Sequence, residues 1–188
     1  MSLSRTFACD LEVRADGTGR TVYGICCPFD SPADIHEDGF PVRESFTRGA
    51  FAKTISERGP RRVKFLAQHN LNMLPIGRAI ELREDSHGLF GAFRVSQTQA
   101  GDEVLALVAD GALDSFSIGF QPVRSRWSRD MKSVTRVAVK LFEVSCVSFP
   151  AFAEAKIDGI RGASLTTTIT NAEAKRRLTA FSLDRNRS

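Results

Sequence analysis

The stretch SVTRVAVKLFEVSCVSF occupies residues 133–149 and is followed by Pro150. Its first half alternates apolar and polar residues, and its second half is almost entirely apolar. Alternation is typical of a strand with one face in water, whereas a continuous apolar run is typical of a strand covered on both faces. The stretch therefore predicts a long strand that runs from the edge of a sheet into its core and ends at the proline.

The segments around this strand also favour a sheet. The strand-like runs are RTFACDLEVR (5–14), RTVYGICCPF (20–29), VKFLAQHN (63–70), IGRAIELRE (76–84) and GLFGAFRVS (88–96). A glycine-containing turn between the first two predicts a hairpin, and the last three predict a meander. Helical spacing of apolar residues predicts helices in RGAFAKTISER (48–58) and DEVLALVADG (102–111). We expect a mainly β fold with flanking helices (α+β), built as a small, strongly bent sheet or barrel.

The charge distribution divides the chain into a body and a tail. Residues 1–155 hold 19 basic and 19 acidic residues, whereas residues 156–188 hold 7 and 3. The tail begins with glycines and threonines and continues into a capping box, Thr170-x-x-Glu173, with apolar residues at helical spacing behind it. We predict one folded domain, large enough to be a catalytic domain, over 1–155. A basic linker with an amphipathic helix should follow over 156–188. The balanced body, with one Trp and one Tyr, argues against nucleic-acid binding.

The sequence also argues against a membrane protein, a secreted protein and a disulfide-bonded protein. No run of eighteen apolar residues occurs, and the first residues lack the layout of a secretory signal, so we expect a soluble protein that stays where it is made, without a membrane. The four cysteines include no C-x-x-C pair. They are interpreted as reduced core thiols in a reducing compartment.

Three histidines are present, and a histidine is the commonest general base for an activated hydroxyl. His36 and His87 lie in polar, turn-like surroundings. His69 follows the apolar run 63–67 at the end of a predicted strand, where a side chain is held by a core and presented at its rim. It is the best candidate base of the three, although this local pattern alone favours an ordinary strand-end histidine.

Ser117 is a hydroxyl inside the apolar run 116–120, FSIGF. Leaving such a group unbonded in a core costs on the order of 1–3 kcal/mol, so a partner is expected: either a backbone carbonyl or an imidazole. In the second case Gly119 would let a backbone or substrate approach where a Cβ would block it. Ser115 shares the strand face and is the rival nucleophile.

Glu143 interrupts the apolar second half of the long strand. An ionised carboxylate there is costly unless it is paired. A charging imidazole would be one partner, because the acid of a nucleophile–base–acid triad fixes the tautomer of the imidazole and stabilises the imidazolium. A structural ion pair with a basic residue of the body is the other possibility.

Other chemistry finds no matching motif. No H-E-x-x-H, paired-cysteine, G-x-x-x-x-G-K-[ST] or G-x-G-x-x-G pattern occurs, so neither a metal nor a phosphate-binding cofactor is expected. Cys26 and Cys27 lie in an apolar run without a nearby charge to lower a thiol pKa, and we interpret them as packing residues.

Taken in order, several short motifs resemble the caudovirus (HK97-type) prohead protease family, the capsid maturation peptidases of tailed phages. The motifs are Val22-Tyr23-Gly24 with Phe29, Glu44-Ser45-Phe46 with Arg48-Gly49-Ala50-Phe51, Phe65-Leu66-Ala67-Gln68-His69-Asn70, Leu74-Pro75-Ile76-Gly77, Asp85-x-x-Gly88-Leu89, Ser117-Ile118-Gly119-Phe120, and Leu141-Phe142-Glu143-Val144-Ser145 with Pro150-Ala151. Each motif is weak alone, and their order and spacing over residues 20–155 make the match specific. The chain departs from the family pattern at Asn70 and at Asp114-Ser115-Phe116.

The resemblance implies an assemblin-like β-barrel related to the herpesvirus maturation protease, and a serine endopeptidase activity. It places the nucleophile on Ser117, the general base on His69 and, by analogy with a late second histidine in the herpesvirus enzymes, the orienting acid on Glu143. Family members cut scaffold or the N-terminal arm of the major capsid protein inside the immature prohead in the host cytoplasm, and often trim themselves. Related folds dimerise.

Two alternatives stay open: a non-catalytic protein of the same fold, and a nucleic-acid-binding module that uses the basic tail. The chain could be a non-catalytic capsid assembly or scaffold protein that keeps the fold, which the joint presence of His69 and Ser117 argues against. The basic tail could serve packaging with an acidic scaffold, removal by self-cleavage, or no function beyond a frayed terminus.

Overall fold

The computed structural model describes residues 3–7, 11–12, 19–37, 39–148 and 160–161. The strands are β1 (Leu3–Phe7), β2 (Leu11–Glu12), β3 (Thr21–Pro28), β4 (Ala33–Glu37), β5 (Phe40–Phe46), β6 (Lys64–Ala67), β7 (Gly77–Glu84), β8 (Gly88–Val95), β9 (Ser115–Trp127), β10 (Ser133–Val147) and β11 (Ile160–Arg161). The helices are α1 (Ala52–Arg58) and α2 (Gln99–Asp110), and Pro60–Arg62 form a 3-10 turn.

All these strands belong to one mixed sheet, whose main path is β1-β9-β10-β6-β7-β8-β3-β11. Off this path, β2 pairs with β3, β4 pairs with β5, and β5 pairs with β10. The predicted mainly β fold with flanking helices is confirmed. The predicted barrel is not closed, because within the described residues β1 and β11 end the path of paired strands and no pairing joins them.

The long strand predicted at 133–149 is β10, but the prediction that it starts at a sheet edge is wrong. β9 pairs with it in antiparallel fashion along one side, while β5 and then β6 pair with it in parallel along the other. Of the polar residues in its first half, Lys140 is exposed to water, whereas Arg136 is buried. Arg136 is 2% exposed and its Nε donates to Glu44 Oε1 at 2.6 Å, while a second guanidinium nitrogen contacts Glu37. Buried charges are tolerated when they are paired in this way.

The other predicted elements are found with small changes. β6, β7 and β8 form the expected antiparallel meander. The hairpin is divided: β2 pairs with β3, whereas β1 pairs with β9, and residues 13–18 of the turn lie outside the described residues. α1 ends at Arg58, with Gly59 as its C-cap. α2 starts at Gln99, three residues before the predicted start, because Thr98 Oγ1 accepts a bond from Gly101 N at 3.2 Å.

Phenylalanines dominate the core behind the sheet. The rings of Phe65 and Phe93 stack at 4.7 Å between centroids, and Phe116 meets both edge-on. These rings hold β6, β8 and β9 together, and edge-to-face pairs of this kind add roughly 0.5–1.5 kcal/mol to the burial of their area. The strand of Ser117 and the strand that leads to His69 are thus fixed from behind.

Two predictions concern the chain termini and the membrane. The predicted amphipathic helix after residue 170 lies outside the described residues, and the division at 155/156 stays a prediction. Of the helices in the described part of the chain, none has the length and apolar character needed to cross a membrane.

Candidate active site

Ser117 lies in β9, where successive side chains point to opposite faces of the sheet. One set of alternate residues is fully buried in the phenylalanine core: Phe116, Ile118 and Phe120. Ser117 and Gly119 lie on the other face. Ser117 is itself 0% exposed, so the sequence argument that its hydroxyl needs a partner applies in full.

β10 places Glu143 and Ser145 beside these two residues. Ser145 is the register partner of Ser117, and Glu143 is the register partner of Gly119. A bulge between Leu141 and Glu143 interrupts the regular pairing just before the carboxylate. Bulges re-aim the residues next to them, and they are common beside functional sites. Glu143 therefore lies on the same face of the sheet as Ser117.

His69 is presented by a tight turn that follows β6. Gln68 and His69 both have positive φ, 55° and 54°, and Asn70 N donates to Ala67 O at 3.0 Å across the turn. Positive φ is uncommon for residues other than glycine and costs on the order of 1–3 kcal/mol at each position. The surrounding structure must hold this turn in place.

Hydrogen bonds to β10, and to Ser148 just beyond it, hold this turn in place. Gln68 N donates to Cys146 O at 2.9 Å, and Gln68 Nε2 donates to Ser148 Oγ at 2.7 Å. His69 N donates to Ser145 Oγ at 3.3 Å. The backbone conformation that aims the imidazole is thus set by the strand that carries the carboxylate.

The side chains of the three predicted site residues form one continuous chain of contacts. His69 Nδ1 lies 2.8 Å from Glu143 Oε1, and His69 Nε2 is in hydrogen-bond contact with Ser117 Oγ. An ionised carboxylate can only accept, which assigns the proton to Nδ1 and leaves Nε2 to accept from the Ser117 hydroxyl. The structure brings Ser117, His69 and Glu143 together in the order hydroxyl, imidazole, carboxylate.

Both oxygens of the Glu143 carboxylate have partners. Oε1 faces the His69 imidazole, and Oε2 accepts from Ser145 Oγ at 2.7 Å. The Glu143 side chain is 8% exposed and that of His69 is 24% exposed. A carboxylate at this depth is stable because hydrogen bonds replace its lost hydration.

The structure gives a different reason for a glycine at position 119 from the one that the sequence suggests. The sequence suggests that its missing Cβ admits a backbone or a substrate. In the structure that space holds the Glu143 carboxylate, and a Cβ built on Gly119 would overlap Glu143 Oε1. The glycine is therefore needed for Glu143 to reach the imidazole.

Ser145 is the site residue that the residue-by-residue sequence argument missed. It is fully buried and bonds both to the Glu143 carboxylate and to the His69 backbone. The sequence could have indicated Ser145, because it lies two residues after Glu143 and therefore shares the face of a strand that is otherwise apolar.

The rival residues take other positions. Ser115 is buried and its Oγ donates to Asp114 Oδ1 at 2.8 Å. His36 is exposed on β4, and His87 lies in the turn between β7 and β8 with its side chain 82% exposed. Neither of these histidines lies on the strands or the turn that form the Ser117–His69–Glu143 chain.

The cysteines of the described residues are buried thiols. Burial raises the pKa of Cys146, and it raises the pKa of Cys26 and Cys27 well above the usual range. The neighbouring Cys146 adds to the effect at Cys26, and Glu44 adds to it at Cys27. These groups stay protonated at neutral pH, which removes the thiolate that a cysteine nucleophile needs. The fourth cysteine, Cys9, lies outside the described residues.

Comparison with solved structures finds a similar fold in a phage protein. The structure of the bacteriophage T4 capsid assembly protease, gp21, matches with a TM-score of 0.57 and 13% sequence identity. The match covers 80% of this chain and 98% of the T4 chain. At this level of identity the likeness concerns the fold.

The family follows from the sequence as a whole. The model of the caudovirus prohead serine protease family matches residues 9–171, and the chain belongs to that family. Among curated proteins, no sequence matches the chain. The predicted resemblance to the prohead proteases is confirmed.

Substituting Gly119 by Ala tests the packing of the carboxylate. The added Cβ would push Glu143 away from His69, and overpacking of this kind costs about 1–3 kcal/mol. We expect Gly119→Ala to lose the low-field imidazole N–H resonance of His69 in proton NMR spectra and to unfold at lower urea concentration.

Gly111→Ala is the matched control, because Gly111 has φ +82° but open space around its Cβ position. It should cost about 1 kcal/mol for the backbone conformation and leave the His69 resonance unchanged. A normal His69 resonance in Gly119→Ala would contradict the role given to this glycine.

Proposed function

We propose that the chain is a serine endopeptidase that processes scaffold or the N-terminal arm of the major capsid protein during phage prohead maturation. The observation that carries the proposal is the unbroken chain from Ser117 Oγ through the His69 imidazole to Glu143 Oε1. Membership of the prohead serine protease family supports the substrate class and a site of action in the host cell, within the immature prohead.

The first half of the reaction is acyl transfer to Ser117. His69 Nε2 takes the hydroxyl proton while Oγ attacks the carbonyl carbon of the scissile peptide bond. The resulting imidazolium then gives this proton to the departing amine, and an ester between Ser117 and the acyl part of the substrate remains. Backbone N–H groups would stabilise the negative oxygen of the tetrahedral intermediate.

The second half regenerates the enzyme. His69 removes a proton from water, the hydroxide attacks the ester carbonyl, and the imidazolium returns the proton to Ser117 Oγ. Glu143 is adjacent to Nδ1 throughout, where its negative charge stabilises each imidazolium that forms. Ser145 and the turn at Gln68 act as positioning residues, because they hold the carboxylate and the imidazole in line.

Substrate would approach from the side of the imidazole. Ser117 is 0% exposed, whereas the His69 side chain is 24% exposed and borders the exposed residues 70–75. A peptide carbonyl therefore reaches Oγ only after the atoms that cover the serine move aside. This arrangement excludes water until substrate binds, which strengthens the electrostatic interactions within the site.

Processing of the capsid protein tests the nucleophile. We expect Ser117→Ala, co-expressed with its capsid protein, to leave that protein at full length on a denaturing gel, because no acyl-enzyme can form without the hydroxyl. Ser115→Ala is the matched control, since it removes the neighbouring buried hydroxyl and should process normally. Normal processing by Ser117→Ala would favour a non-catalytic assembly protein.

Glu143→Gln tests the acid. The amide keeps the shape of the side chain but removes the charge that stabilises the imidazolium, and it can stabilise the wrong imidazole tautomer. We expect the initial rate of capsid-protein cleavage to fall by about two to four orders of magnitude. Glu57→Gln, at an exposed position on α1, should match the wild type. A rate within a few-fold of wild type in Glu143→Gln would mean that Ser117 and His69 work as a dyad.

A further inference from the structure

A row of basic residues crosses three neighbouring strands next to the site. Lys64 on β6 is the register partner of Arg78 on β7, and Arg78 is the register partner of Arg94 on β8. We call these three residues the cationic row. Like charges directly opposite one another destabilise a sheet, so the row opposes folding and calls for a reason outside the fold.

The cationic row continues a register line that begins in the active site. Gly119 pairs with Glu143, and Glu143 pairs with Lys64. Register partners point to the same face of a sheet, so the row lies on the face that carries Glu143 and Ser117. With strands about 4.8 Å apart, it extends from about 10 to about 19 Å from β9, the strand of Ser117.

The charges of the row are exposed, and no carboxylate of the described residues pairs with them. Lys64, Arg78 and Arg94 are all exposed, and none of them forms an ion pair with a carboxylate among residues 3–7, 11–12, 19–37, 39–148 and 160–161. Two other arginines of the sheet are matched within the fold. Arg83 pairs with Glu81, and Arg136 pairs with Glu44.

The row lines an open groove of about 710 Å³. Leu74 and Pro75, from the loop that follows His69, form one part of its wall, and Val95 and Ser96 form another. None of the residues that line the groove is aromatic. The groove thus combines three cations with short apolar surfaces, and it adjoins the loop that follows His69.

We propose that this groove binds an acidic segment of the polypeptide substrate. The inference rests on the proposed function, and charge complementarity selects the occupant. The basic tail of this chain has the wrong sign, with 7 basic and 3 acidic residues in 156–188. A nucleic acid would favour aromatic stacking surfaces, which the groove lacks, and the adjoining site is built for a peptide carbonyl.

The geometry also gives the position of the acidic segment. An extended chain advances about 3.3 Å per residue, and the row lies about 10 to 19 Å from β9. The acidic residues should therefore lie roughly three to six residues from the scissile bond. Alternate side chains of an extended peptide point the same way, so acidic residues at every second position would face the row together.

Peptide binding by the full chain provides the test. The probes are two fluorescein-labelled nonapeptides, one alternating Ala with Glu and the other alternating Ala with Gln, each measured by fluorescence anisotropy with Ser117→Ala protein to prevent cleavage. We expect the Glu peptide to bind at least ten-fold more tightly than the Gln peptide at low salt. Its affinity should fall as sodium chloride is raised from about 50 to 300 mM, because the attraction is electrostatic.

Paired variants locate the binding. Arg78→Gln with Arg94→Gln should weaken binding of the Glu peptide at least ten-fold. Arg124→Gln with Arg126→Gln is the control, because it removes the same charge from two exposed arginines on β9. Equal binding of the two peptides, equal loss in the two double variants, or tighter binding of a thymidine pentanucleotide than of the Glu peptide would overturn the proposal.

Covalent labelling separates this proposal from the proposed function. With Ser117 present, the double variant Arg78→Gln, Arg94→Gln should react with a small fluorophosphonate within two-fold of the wild-type rate, because the groove does not contribute to the chemistry at Ser117. If the wild type does not react, the proposed catalytic function fails. The peptide-binding result still decides whether the groove binds an acidic segment.

Discussion

The bond between the buried Glu143 carboxylate and the His69 imidazole organises the site. Glu143 is on β10, the strand that separates β9, which carries Ser117, from β6, which leads to His69. A carboxylate with 8% exposure must find partners, and it finds them in His69 Nδ1 at 2.8 Å and Ser145 Oγ at 2.7 Å. This bond keeps the imidazole proton on Nδ1, so that Nε2 is left to accept from Ser117 Oγ.

Several features of the sequence exist to make this bond possible. Gly119 leaves the space that the carboxylate fills, and two consecutive positive φ angles at Gln68 and His69 turn the imidazole back toward β10. Each of these features is unfavourable for the stability of the fold when considered alone, because glycine weakens a strand and positive φ strains the backbone. Features that weaken a fold are expected to cluster at functional sites, and here they cluster around one carboxylate.

Sequence reasoning found the polar groups but not all of their partners. Ser117 and Glu143 were evident because each interrupts an apolar run, and such an anomaly is local. The neighbours of β10 were not evident, since pairing with β5 and β6 joins segments far apart in sequence. For the same reason Arg136 suggested exposure to water, whereas its actual partners, Glu44 and Glu37, lie more than ninety residues away. The role of Gly119 likewise became visible only once the register placed it opposite Glu143.

The central claim is that Ser117 is the group that becomes acylated. Mass spectrometry of the full chain after reaction with a fluorophosphonate tests this most directly, because the reagent forms a stable adduct only with an activated hydroxyl. We expect one adduct per chain, located on the peptide that contains Ser117 and absent after His69→Ala. An adduct on Ser115, or an adduct on Ser117 that forms equally fast without the His69 imidazole, would contradict it.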